Sequence, residues 1–122
     1  MKAIMRTLFT TALLIGAMAA YASAQGDQIV GGYGDANVKD KDVRHAAAVA
    51  IRQHSRRAHH AVTLVKINKA EQQVVSGMNY RLCMSVRRGR RGRVHTVTAV
   101  VYQPIRKPMR LTNWQEGGCK EL

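Results

Sequence analysis

Apolar residues recur with a helical period over residues 38–57. The positions on one helical face lie at i, i+4, i+7, i+8 and i+11 and are Val43, Ala47, Ala50, Ile51 and His54. Charged residues such as Arg44 and Arg52 occupy other directions, so the segment is predicted to be an amphipathic helix. A polar residue is expected to cap its start: Asn37, Asp35, Asp40 or Asp42.

The pattern changes to that of β-strands after the helix. Stretches rich in β-branched residues cover residues 62–67, 80–86 and 94–102, and a shorter strand is expected over residues 109–114. Between residues 80 and 87 apolar side chains alternate with Arg81, Cys83 and Ser85, which predicts one core face and one solvent face. The fold class is therefore α+β, with one N-terminal α-helix packed on a four- to five-stranded antiparallel β-sheet.

A hairpin turn is predicted between the first two strands. Ser76 and Gly77 separate two strand-like runs, and Gly77 can adopt the positive φ that tight turns require. Val74 and Val75 keep the chain extended and place apolar side chains near the turn.

The N-terminal segment has the features of a secretory signal peptide. Lys2 and Arg6 precede a short apolar run, and Ala22-Ser23-Ala24 matches a small-x-small cleavage site. We expect residues 1–24 to be removed after Ala24, leaving residues 25–122 as a single domain without a transmembrane segment. The mature protein is expected to be secreted or periplasmic.

Export affects how the two cysteines are interpreted. In an oxidising compartment Cys83 and Cys119 are expected to form a disulfide, with the C-terminal tail crossing the outer face of the sheet. A metal site or a catalytic thiol is the weaker interpretation, because the sequence has no CxxC motif and no Cys/His pair at ligand spacing. His54, His59 and His60 are interpreted as solvated or helix-end residues.

The chain carries a formal net charge of +13. Five arginines lie within residues 87–93, a segment called the arginine loop below: Arg87, Arg88, Arg90, Arg91 and Arg93. This loop could contact phosphate, lipid headgroups or an acidic protein. It could equally be a solvated hairpin loop, and no aromatic residue is interleaved to stack on nucleic-acid bases.

Catalysis is not predicted. Ile29-Val30-Gly31-Gly32 is a start shared with trypsin-like proteases, but the chain is too short for their double barrel and has no Gly-Asp-Ser-Gly sequence. Paired carboxylates, a nucleophile elbow, a metal cluster and a phosphate loop are also missing from the sequence. We therefore expect no enzyme activity, no metal and no cofactor.

These features together resemble the cystatin family. The resemblance rests on Gly31-Gly32, on the Gln-x-Val-x-Gly pattern of Gln73, Val75 and Gly77, and on a later hairpin in the same order. The stretch Asn79-Tyr80-Arg81-Leu82 and the helical pattern Ala48-Val49-Ala50 also look cystatin-like.

The resemblance implies a reversible, non-covalent inhibitor of papain-like cysteine proteases that fills the active-site cleft with three segments. The implied protease-binding residues are Ile29, Val30, Gly31, Gly32, Gln73, Val74, Val75, Ser76, Gly77, Pro104 and Ile105. The protein is expected to be a monomer, with a domain-swapped dimer as the alternative.

Two departures from the family pattern affect the expected function. Pro104-Ile105 stands where the family usually has Pro-Trp, and Trp114 lies later, which implies weaker inhibition. The asparagine-bearing site by which some family members block legumain is absent from Ser55-Arg56-Arg57, so no inhibition of legumain is expected. The alternative function is a cationic binding module of the same fold that contacts anionic surfaces through the arginine loop, with no specific nucleic-acid partner.

Overall fold

A computed structural model describes residues 31–119 of the chain. Its helix α1 spans Lys41–Ala58. The strands are β1 (Gly34–Ala36), β2 (Val62–Val75), β3 (Gly77–Arg88), β4 (Val94–Gln103) and β5 (Arg110–Glu116). One helix and five strands confirm the α+β class predicted from the pattern, although the short β1 was not foreseen.

The five strands form one antiparallel sheet in the order β1-β2-β3-β4-β5. Since neighbours in sequence are also neighbours in space, the β2–β3 and β4–β5 turns lie at one end of the sheet. The β3–β4 turn, which contains the arginine loop, lies at the opposite end. Strand β1 runs antiparallel to β2 with Gly34 opposite Gln72, so the residues before β1 lead towards the β2–β3 turn.

The helix begins three residues later than predicted. The backbone N–H of Asp40 donates to the carbonyl of Asn37 at 3.0 Å, so this segment forms a turn before the helix. Asn37 Oδ1 accepts from the N–H of Lys39 at 2.8 Å, and Asp40 holds the N-cap position without a side-chain capping bond. Asp40, one of the predicted candidates, is thus the N-cap residue, but the expected side-chain capping bond is not formed, and the Asn37 side chain stabilises the preceding turn instead.

The core lies between the inner face of the sheet and a face of α1 made of small residues. Val43, Ala47 and Ala50 are buried as predicted, together with Ala46 and Val49. The inner face of β3 contributes Tyr80, Leu82, Met84 and Val86. Alanines allow the helix axis to approach the sheet closely, so a small domain still packs densely.

The outer face of β3 is not the solvent face that the alternation predicted. Arg81 is only 7% exposed and Cys83 only 5%. Arg81 is covered by Tyr33, while the C-terminal segment lies over Cys83. The period-2 pattern identified the two faces correctly, and the expected disulfide implied that the C-terminal tail crosses the outer one, but nothing in the sequence indicated that Tyr33 covers Arg81.

The predicted disulfide joins Cys83 to Cys119, with 5.1 Å between their Cα atoms. The tail is also held by backbone contacts: the N–H groups of Gly117 and Gly118 donate to the carbonyl of Thr96 at 3.1 Å. Thr98 Oγ1 donates to the carbonyl of Gly118 at 2.7 Å. The C-terminal segment is thus fixed across the outer face of β3 and β4.

Candidate functional site

The turn between β2 and β3 is as tight as the sequence predicted. Val75 lies opposite Gly77, and Ser76 alone makes the turn. Gly77 has a φ of 108°, and a Cβ added there would overlap the backbone carbonyl oxygen of Gln103. Glycine is therefore required at this position by the fold itself, before any partner is considered.

The β4–β5 loop lies against this turn. Gln103 Nε2 donates to the carbonyls of Pro104 and Lys107, both at 2.7 Å, and so closes the loop on itself. The Tyr102 hydroxyl donates to the carbonyl of Ser76 and joins the two turns. The tertiary structure thus brings together Ser76, Gly77, Pro104 and Ile105, which are far apart in sequence.

The N-terminal segment reaches the same end of the sheet. Gln73 Nε2 donates to the carbonyl of Gly31 at 3.0 Å, and Gln73 Oε1 accepts from Asn79 Nδ2 at 3.2 Å. Gln73 therefore holds Gly31 beside the β2–β3 turn. Ile29 and Val30, predicted to bind in the same region, lie outside the described residues.

We call this end of the molecule the tip edge. It comprises Gly31-Gly32, the turn at residues 73–77 and the loop at Pro104-Ile105. Two of its apolar side chains are open to solvent: Val74 is 64% exposed and Ile105 is 73% exposed. Large apolar side chains displayed on preformed turns are typical of contact surfaces rather than of a core.

The N-terminal segment packs against an ion pair on the outer face of the sheet. Arg81 donates to both carboxylate oxygens of Glu71, through Nε at 3.0 Å and through a terminal nitrogen at 2.9 Å. The Tyr33 ring stacks on the Arg81 guanidinium, 4.0 Å from the ring centroid. The hydrogen bonds from Arg81 hold the pKa of Glu71 below its usual range, while burial raises the pKa of Tyr33.

Sequence reasoning missed this support. Tyr33 lies directly after the glycine pair and Arg81 lies on β3, 48 positions away by their numbering. Arg81 occupies an outward position in the alternating pattern of β3, and alternation assigned it to solvent. Tyr102 and Gln103, which position the second loop, were not singled out from the sequence either.

Trp114 does not belong to the tip edge. It lies on β5, where its ring stacks on the ring of His54 with centroids 3.8 Å apart and planes at 6°. Burial lowers the pKa of His54. His54 therefore packs against β5 instead of being solvated, and Ile105 takes the exposed position on the loop.

The arginine loop is an ordered turn at the other end of the sheet. Gly92 N–H donates to the carbonyl of Arg88 at 3.0 Å, and Gly89 N–H donates to that of Ala61 at 2.9 Å. Across residues 31–119, no group of three His, Cys, Asp or Glu side chains is arranged to hold a metal ion. No helix in the same range is both long and apolar enough to cross a membrane.

A helix packed across a five-stranded antiparallel sheet, with two turns and an N-terminal segment at one end, defines the cystatin fold. Solved structures share it. A salivary cystatin of the soft tick Ornithodoros moubata matches with a TM-score of 0.57 at 21% identity, covering 71% of this chain and 97% of that one. Al-CPI matches with a TM-score of 0.55 at 17% identity, covering 71% and 100%.

The sequence comparisons identify the family. The family model described as SQAPI, aspartic acid proteinase inhibitor, matches residues 36–116, and the chain belongs to this family. L-cystatin of Tachypleus tridentatus is 51% identical over 59 residues, which cover 45% of this chain and 43% of that protein. The match thus spans less than half the length of this relative. Together with the solved structures, it confirms the resemblance to cystatins that the motifs predicted.

Proposed function

We propose that this protein is a reversible, non-covalent inhibitor of papain-like cysteine proteases. The observation that carries the proposal is the tip edge, where three segments distant in sequence meet and display Val74 and Ile105 to solvent. The likeness to cystatins supports this class of target in general. The inhibitor would occupy the active-site cleft and exclude substrate without any chemical step.

Preorganisation explains how so small a surface can bind. Hydrogen bonds from Gln73, Tyr102 and Gln103 fix the three segments before binding. Little conformational entropy is then lost on docking, so more of the gain from burying apolar side chains appears as affinity.

The glycine pair has no structural role that explains it in the free protein. A Cβ added at Gly31 or Gly32 would meet nothing within 4 Å. We propose that the missing side chains leave room for the surface of the protease, with Ile29 and Val30 entering its apolar pockets. Ile105 would make the contact for which the family usually has tryptophan, and weaker inhibition follows.

The test is inhibition of papain by the parent protein and by Val74→Glu. Val74 is exposed on the tip edge, so the variant should fold and yet raise the inhibition constant at least about tenfold, because it places a charge in an apolar contact. Val65→Glu is the matched control, since Val65 lies on the same strand, is 44% exposed and is far from the turn.

Each result of the papain assay either supports or contradicts the proposal. Inhibition by the parent and Val65→Glu, reduced in Val74→Glu, supports the proposal. No inhibition by the parent at micromolar concentration, or equal inhibition by all three proteins, contradicts it. Gly77 is unsuitable for this test because any side chain there disturbs the turn through Gln103 and would weaken inhibition for structural reasons.

A second target class is favoured by the family assignment, whose description names inhibition of aspartic acid proteinases. The same three proteins can be titrated against pepsin. This assay requires acidic pH, where the pair of Glu71 and Arg81 weakens, so circular dichroism at the assay pH must show a folded inhibitor. Inhibition of pepsin but not of papain would assign the protein to aspartic proteinases.

No comparison supports the alternative of a cationic module acting through the arginine loop. We also propose that the mature protein comprises residues 25–122, is exported and is a monomer. The disulfide suits an oxidising compartment. The mass of the secreted protein and its elution volume in size-exclusion chromatography test cleavage after Ala24 and the absence of a domain-swapped dimer.

A further inference from the structure

Three basic residues lie beside the tip edge, on the β5 side of the Pro104-Ile105 loop. Arg106, Lys107 and Arg110 are exposed, and with Ser76 and Tyr102 they line an open cleft. We call these three residues the basic rim. On the other side of the loop the corresponding cleft is lined by Asp42 and by uncharged residues, among them Gln103 and Met109, so the charge changes across the loop.

The basic rim is held by an ordered backbone. Gln103 fixes the carbonyl of Lys107, and the Arg110 guanidinium lies 5.3 Å from the centroid of the Tyr102 ring. The Tyr102 hydroxyl in turn binds the carbonyl of Ser76. The backbone that carries the three charges therefore keeps a defined position relative to the turn that is proposed to enter the cleft.

Within residues 31–119, no carboxylate forms an ion pair with the basic rim. The basic and acidic side chains in contact between residues 31 and 119 are Arg81 with Glu71 and His95 with Glu116, and neither contact includes a residue of the basic rim. Exposed cations clustered on one side of a contact surface attract a partner of opposite charge.

The arginine loop cannot supply the same attraction. It is separated from the tip edge by the length of β3, whose 12 residues span about 40 Å at roughly 3.3 Å each. The Debye length at physiological ionic strength is only about 8 Å. A protease docked at the tip edge therefore experiences mainly the field of the basic rim, although the arginine loop carries more charge.

We propose that the basic rim pairs with carboxylates on the border of the target's active-site cleft and accelerates docking. The inference rests on the proposed function and adds the chemistry of the partner: a protease with an acidic cleft border on the side facing the β4–β5 loop. Attraction of this kind acts mainly on the association rate, whereas the apolar contacts of Val74 and Ile105 govern dissociation.

The experiment compares two double variants with the same change of charge. Arg106→Glu/Lys107→Glu reverses two charges of the basic rim and leaves Arg110 and its contact with Tyr102 in place. Arg90→Glu/Arg91→Glu reverses two exposed charges of the arginine loop at the far end. The secreted protein and both variants are mixed with a papain-like protease whose own structure shows carboxylates along the cleft border, and association is followed at 20 mM and 500 mM salt.

We expect the basic-rim variant to associate at least about tenfold more slowly at low salt, with a much smaller difference at high salt. The arginine-loop variant should stay within about twofold to threefold of the parent because its charges are screened. Dissociation rates should be similar for all three proteins.

Inhibition by all three proteins with equal association rates overturns this inference alone, whereas absence of inhibition by the parent refutes the proposed function. An equal slowing of both variants also overturns it, because net charge would then suffice. If the basic-rim variant instead loses binding to anionic phospholipid vesicles while its association with the protease is unchanged, the rim contacts membranes and the proposal is wrong.

Discussion

Arg81 contributes both to the outer face of the sheet and to the position of the N-terminal segment. Its guanidinium is buried on the outer face of the sheet, where an unpaired charge would be costly. The two-point contact with Glu71 and the stacked Tyr33 ring compensate for the lost hydration. Because Tyr33 follows Gly32 directly, the same contact helps to hold the N-terminal segment near the tip edge.

The pair of Glu71 and Arg81 predicts a dependence of stability on pH. Glu71 has a lowered pKa in the folded protein, so its stabilising effect is present above the unfolded-state pKa of about 4.3 and is lost as the pH falls through the folded-state value. Glu71→Gln should lower the free energy of unfolding by about 1–3 kcal/mol at pH 7 and by much less at pH 3.

Urea denaturation of parent and variant at both pH values measures this difference. Glu116→Gln is the control, since the Glu116 side chain is 57% exposed in its pair with His95 and should matter little at either pH. A Glu71→Gln effect of equal size at pH 7 and pH 3 would contradict the electrostatic explanation.

At the scale of elements, helix α1 ends at a histidine in a backbone conformation that glycine usually adopts. His59, the C-cap residue, has a φ of 58°, a left-handed conformation in which glycine is normally found. Ser55 Oγ then accepts from the N–H of Val62 at 3.0 Å and joins the helix end to the start of β2.

His59→Gly should therefore stabilise the protein. Removing the strained side chain is expected to raise the free energy of unfolding by about 0.5–1 kcal/mol. Ala58→Gly, one residue earlier and still within the helix, should lower it by a similar amount because glycine is a poor helix former. Thermal or urea denaturation of the two variants should thus give shifts of opposite sign, and shifts of the same sign would refute the interpretation.

Part of strand β2 is an exposed edge of the sheet, but it carries features that disfavour pairing with a second chain. It pairs with β1 only at residues 70–72, so its first half forms an edge of the sheet over residues 62–69. Register shifts occur there between Leu64 and Lys66 and between Ile67 and Lys69. Bulges and lysines on an edge strand disfavour pairing with a second chain, which is consistent with a monomer.

At the scale of the whole molecule, the disulfide and the core lie on opposite faces of the sheet. Cys83 faces outward to Cys119, whereas its neighbours Leu82 and Met84 face the helix. The disulfide should therefore add stability without shaping the core or the tip edge.

We predict that Cys83→Ala/Cys119→Ser folds but is less stable by about 3–4 kcal/mol, the loop-entropy value for a crosslink of this length. Its inhibition constant should match the parent's under conditions where both are folded, because Gln73, Tyr102 and Gln103 hold the tip edge independently. Denaturation and inhibition assays on the same samples test both statements. Loss of inhibition by a folded variant would show that the tail influences the tip edge.

The sequence by itself determined the features encoded by neighbouring residues. The periodicity of residues 38–57 predicted α1 to within three residues at its start, and Ser76-Gly77 located the first turn. The pairing of the two cysteines followed from their number and from the expected export. Each of these depends on local sterics or on a count, so no knowledge of the other strands was needed.

Apart from the disulfide, only the tertiary structure decided which distant residues meet. Alternation along β3 placed Arg81 on the outer face, but it gave no sign that Tyr33 buries it there. Likewise, Trp114 is held by His54, and the Arg106-Lys107 pair lies beside Ser76 because β4 and β5 return to the tip edge. A pattern of period two or 3.6 specifies the direction of a side chain, whereas its partner depends on sheet order and register, which appear only once the strands have paired.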